Sequence, residues 1–63
     1  MKGYNKLMEL DKSIFDEFRK EFVKVNDSNV EFIAVLRKRD YIRVDLKING
    51  RAEWLHVTPN SWY

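Results

Sequence analysis

The side chains that could do chemistry at neutral pH are few. His56 is the single histidine and cysteine is absent, so a metal site would have to draw on carboxylates such as Asp45 or Glu53. A general base would need the imidazole of His56 oriented by a nearby carboxylate, and Asp45 is the candidate. Ser13, Ser28 and Ser61 fall in a cap, a turn and the tail, which leaves no serine placed for a triad with His56. Gly3 and Gly50 stand alone, whereas a loop that cradles phosphate needs several glycines close together. Asp16, Glu17 and Glu21 are interleaved with Arg19, Lys20 and Lys24 at helical spacings, the pattern of a solvated helix face. No catalytic, metal-binding or cofactor-binding residue is assigned on this basis, and the expectation is a protein that is not an enzyme.

A second kind of chemistry is recognition. Residues 1–29 hold six basic and six acidic side chains, and residues 30–63 hold six basic and four acidic, so the whole net charge of +2 lies in the second half. The densest positive stretch, residues 37–51, also carries aromatics around it. Arg37, Arg43 and Lys47 are expected beside Tyr41, Trp54 and His56, so that cations able to pair with phosphates or carboxylates lie next to rings able to stack. Arg39, Trp62 and Tyr63 complete the candidate contact set. For a protein partner the expected patch is Ile33, Val35, Trp54, Trp62 and Tyr63 with Arg37, Arg39 and Arg43 at its rim, since Trp, Tyr and Arg are the residues most enriched where proteins bind proteins.

The elements that must position these residues can be read from periodicity. Ile14, Phe15, Phe18, Phe22 and Val25 recur at spacings of one, three and four, which predicts an amphipathic helix over about 11–25. Ser13 or Asp11 is the expected N-cap, and Tyr4, Leu7 and Met8 extend the same period toward the amino end. "NDSN", residues 26–29, ends the helix. "VEFIAVLRK", residues 30–38, is rich in β-branched and aromatic residues and reads as a strand. Residues 41–48 alternate, with Ile42, Val44, Leu46 and Ile48 on one face and Tyr41, Arg43, Asp45 and Lys47 on the other.

Asn49-Gly50 then fixes the hairpin, because a type I′ turn needs positive φ at both central residues. Its register places Val44 opposite Leu55 and Ile42 opposite Val57 on the buried face, with Asp45 opposite Trp54 and Arg43 opposite His56 outside. The loop around Lys38, Arg39 and Asp40 leaves two registers for the first strand. A three-residue loop would turn Phe32, Ala34 and Leu36 to the core, and a two-residue loop would turn Ile33, Val35 and Arg37 there instead. Either way this strand is apolar on both faces, so its second face should be covered by the tail, by another subunit or by a partner.

The chain is thus expected to be one small α+β domain, residues 1–63. Its order is α-β-β-β, one amphipathic helix on a three-stranded antiparallel meander, with strands at about 30–38, 41–48 and 51–58 and an aromatic tail at 59–63. At this length folding removes only about 60% of the unfolded surface from water, and without disulfides a homodimer is one way to gain burial. No apolar run reaches the ~18 residues of a membrane span and "MKGYNKLMEL" lacks the core of a signal peptide, so the expected compartment is the cytoplasm. The leading expectation is a small binding protein acting stoichiometrically on a protein partner, as small phage or mobile-element inhibitors do. The alternative is a nucleic-acid-binding module that uses the basic and aromatic sheet face.

Overall fold

Phe15, Phe18 and Phe22 share one side of a helix, α1 (Glu9–Val25), and all three are buried against a sheet. The computed structural model that shows this describes residues 1–26 and 29–63, so the Asp27 and Ser28 part of the expected turn lies outside the described residues. The helix starts ahead of both expected caps. Met8 is the extended residue before it and makes no side-chain cap bond, while Asp11 and Ser13 lie inside the helix. A 3-10 turn at Tyr4–Lys6 and the buried Leu7 fix the chain direction upstream, and Glu9 and Asp11 in the first turn suit the positive end of the helix dipole. At the other end both the N–H and the side-chain amide of Asn26 donate to the carbonyl of Phe22, at 2.9 and 3.1 Å. Val25, expected in the buried stripe, is exposed, since it lies past Phe22, the last helix ring in the core.

Three antiparallel strands, β1 (Val30–Arg37), β2 (Ile42–Ile48) and β3 (Arg51–Val57), form the sheet in the order β1-β2-β3. Asn49 and Gly50 both take positive φ, 53° and 81°, as a type I′ turn requires. Every β2–β3 pair follows from that turn, from Ile48 with Arg51 at the tip to Ile42 with Val57 at the base. The turn is also tied to the start of β1, where the Asn49 N–H donates to the Asn29 carbonyl and the Asn29 N–H to the Asn49 side chain, at 2.8 and 3.2 Å.

β1 follows neither of the two registers throughout, because it is bulged. Phe32 pairs with Leu46 and Ala34 with Asp45, so Ile33 is the extra residue. On the loop side of the bulge Val35 and Arg37 lie on the helix face, opposite Val44 and Ile42. On the other side Val30 and Phe32 lie there, opposite Ile48 and Leu46. Ala34 and Leu36 therefore face outward.

Both ends of the chain close against the sheet edges. Lys2 runs parallel to β1 beside Ala34, with its N–H donating to the Ile33 carbonyl and its carbonyl accepting from the Val35 N–H, at 3.0 and 2.9 Å. Gly3 must be glycine for this: its φ is 91° and a Cβ there would collide with the Val35 carbonyl oxygen. After Thr58–Ser61 the tail reverses beside β3, where the backbones of Tyr63 and His56 exchange two hydrogen bonds of 2.8 and 3.0 Å. Trp62 stands opposite the buried Val57 and packs edge-on against Phe18 and Phe22, at 5.4 and 6.0 Å between ring centroids. No helix is long and apolar enough to cross a membrane among the described residues.

The Tyr4 hydroxyl donates to both carboxylate oxygens of Asp16, at 3.1 and 2.9 Å, and pins the amino-terminal turn to α1. That bond raises the tyrosine above its ordinary value of 10.0, with smaller contributions from partial desolvation and from the charge of Asp16. The folded state thus holds this proton more tightly than the unfolded chain. The stabilisation is present below the ordinary pKa and is lost as pH rises above about 10. The urea midpoint should consequently fall more steeply across that range in the native protein than in Tyr4→Phe, and identical slopes would show that the bond does not contribute.

Candidate protein-contact surface

The face of the sheet away from α1 is built by alternation on β2 and β3, and its residues fall into cross-strand rows. Leu36, Arg43 and His56 form one row, extended by Tyr63 from the tail. Ala34, Asp45 and Trp54 form the next, and Glu31, Lys47 and Ala52 the third. Leu36 and Trp54 are about half exposed, at 55% and 50%, and Tyr63 more so, at 67%. Apolar and aromatic side chains thus face outward across the sheet.

His56 is the centre of an aromatic cluster. Tyr41 meets it at 4.0 Å and Trp54 at 4.9 Å, both near edge-on, while Tyr63 stacks on it at 5.0 Å with only 14° between the planes. Such contacts hold the rings in fixed orientations, so the cluster has little side-chain entropy left to lose. Arg43 lies over the Trp54 ring at 4.6 Å and is bonded to Asp45 through Nε at 3.2 Å and through a terminal nitrogen at 3.1 Å. Asp45, the carboxylate expected to orient His56 in a catalytic reading, is engaged by Arg43. Among the described residues no cluster of three or more histidine, cysteine, aspartate or glutamate side chains could hold a metal ion.

Comparison of the chain with protein-family models, with curated proteins and with solved structures finds no match.

Six of the nine candidate residues come together on this face: Tyr41, Arg43, Lys47, Trp54, His56 and Tyr63. Arg37 does not. Expected outside, it lies on the helix side of β1 because four chain positions, 38–41, separate its pairing with Ile42, and it reaches Asp11 at 3.7 Å. Trp62 is likewise turned inward, because alternation in the tail gives adjacent residues opposite faces. Arg39 sits in the β1–β2 loop, exposed and apart from the cluster. Val35, expected in the contact patch, is buried on the helix face, and Ala34, Leu36 and Glu31, which the sequence pattern does not single out, point outward instead, since only the bulge decides which of the strand's residues do so.

The charges on the face nearly cancel. Arg43 and Lys47 are matched by Asp45 and by Glu31, which pairs with Lys47 across β1 and β2, and Lys2, placed on the same face by its bridge to Ala34, leaves an excess of one positive charge. The surface is therefore aromatic and apolar with a nearly balanced polar content, not a basic groove.

Proposed function

We propose that the protein is a non-enzymatic binding protein that acts stoichiometrically on a protein partner through the outer face of its sheet. The observation that carries this reading is the exposure of Leu36, Trp54 and Tyr63 around an ordered aromatic cluster, on a face whose formal charges sum to only +1. Proteins bind proteins through cores of this composition, aromatic with arginine and poor in net charge. Phosphate-backbone binding asks for an unbalanced positive surface, and the placement of Arg37 against Asp11 removes one of the cations that would have supplied it. A small chain of this kind fits the role of an inhibitor or regulator that occupies a site on its target in the cytoplasm.

Affinity purification from the native host tests the reading. The native protein should retain a protein partner in near-equimolar amount, and Trp54→Ala or Leu36→Asp should weaken that complex by about thirtyfold, as loss of a central contact of about 2 kcal/mol would. Retention unaffected by either substitution, or an eluate whose absorbance is that of nucleic acid and whose yield falls steeply with salt, would overturn it.

A further inference from the structure

On its β3 side, beyond the pairing of Tyr63 with His56, the sheet has a stretch of edge that no strand among the described residues covers. Tyr63 pairs with His56, and Arg51–Leu55 of β3 have no strand beyond them among the described residues. Backbone direction on a strand alternates, and the His56 N–H and carbonyl point outward to Tyr63. Two and four residues back, Trp54 and Ala52 must point theirs outward as well. An edge with four such unpaired groups is a template for another strand.

We propose that this edge pairs antiparallel with the same edge of a second copy, about a two-fold axis at Ala52. The register follows from three constraints. Outward-pointing residues must face outward-pointing residues, so the axis passes through a residue and not between two. An axis at Glu53 or Trp54 would drive Gly50 or Ala52 into the slot that Tyr63 of the other copy already fills beside His56. An axis at Arg51 would set Arg51 against itself.

An axis at Ala52 avoids each of these conflicts. It brings Ala52 against Ala52, with two backbone hydrogen bonds, and sets Arg51 of each copy directly opposite Glu53 of the other, twice. Both side chains are exposed and lie on the helix side of β3, opposite Ile48 and Leu46 respectively. Opposite charges at directly facing positions favour a strand pair and like charges disfavour it. On the other face Trp54 lands beside the turn residue Gly50 of the second copy, where no side chain obstructs the indole. Two three-stranded sheets then join into one of six strands, with both helices on one side and both aromatic clusters on the other. The pairing rests on the backbone of the edge and on Arg51 and Glu53 on the helix side, so it does not depend on the proposed function, although Trp54 borders both surfaces.

Sedimentation velocity over a concentration series of the full chain is the test. The native protein should pass reversibly from monomer to dimer. Arg51→Glu and Glu53→Arg should each weaken the dimer by about tenfold or more, since each sets like charges opposite one another twice, and the double variant should return to near the native constant. A native chain that stays monomeric at every concentration overturns the proposal, as does a dimer that either single reversal leaves unchanged or that the double variant fails to restore. Amide hydrogen exchange of the native protein gives an independent readout that needs no variant. Exchange at Ala52 and Trp54 should slow as concentration rises, and unchanged exchange at those two amides in a dimer would overturn the register. A monomer that still captures its partner would overturn the pairing and leave the proposed function standing.

Discussion

Trp62→Ala is expected to lower stability by about 2–3 kcal/mol, whereas Trp54→Ala should stay within about 1 kcal/mol of the native protein. The two tryptophans look equivalent by composition but sit on opposite faces. Trp62 is half-buried, packed edge-on against Phe18 and Phe22, and its removal opens a gap over the end of β3 beside Val57. It also frees the tail, because the backbone bonds between Tyr63 and His56 depend on the chain lying along β3. Trp54 is half exposed and supports no part of the core. For a chain this short, a loss of that size should lower the thermal midpoint by about 10–20 °C. Urea unfolding of both variants is the measurement, and equal destabilisation by the two would contradict the placement of Trp62. The same contrast decides which variant probes the proposed partner binding: Trp54→Ala reports on the surface, and Trp62→Ala on folding.

The parts of the fold legible in the sequence are those set by local chemistry. Asn49-Gly50 specifies positive φ twice, and a two-residue turn leaves no freedom in the pairing that follows, so every residue of β2 and β3 could be assigned a face. The helix was legible because Phe15, Phe18 and Phe22 recur at its period. β1 was not, because a bulge carries no obligatory residue type when neither glycine nor proline marks it, and Ile33 is an ordinary strand residue. Each of the two registers holds on one side of Ile33 and fails on the other, which is why a strand apolar on both faces can serve the core with Phe32 and Val35 and the surface with Ala34 and Leu36.

The candidate site divides along the same line. Tyr41, Arg43, Lys47, Trp54 and His56 follow from the hairpin, and the structure brings them together. The positions of Arg37 and Trp62 depend on the bulge and on the tail's approach to β3, both of which are set by packing distant in sequence. The cover expected over the first strand is also divided: Lys2 closes part of its edge, while the tail lies along β3 and sends Trp62 to the opposite face from Trp54. The outer face stays open, which is the feature that the proposed function uses.

Phe15→Ala is expected to be the most damaging single substitution at the centre of the core. Phe15 is completely buried and meets Tyr4, Phe18 and Phe32 at centroid distances of 5.9, 6.0 and 5.8 Å, joining the amino-terminal turn, the helix and β1. Truncating a buried ring costs about 3–5 kcal/mol, while a domain of this length is stable by only about 3–9 kcal/mol in total. The variant should be largely unfolded at 25 °C by circular dichroism, or should lose its cooperative urea transition. Phe15→Leu keeps most of the volume and should cost about 1–2 kcal/mol while remaining folded. A cooperative transition in Phe15→Ala within about 1 kcal/mol of the native protein would refute the assignment of Phe15 as the joint of the core. The pair also separates packing from recognition: Phe15 lies across the sheet from the outer face, so Phe15→Leu should retain the partner at near-native affinity, and Phe15→Ala should lose it together with the fold that holds Leu36, Trp54 and Tyr63 in one surface.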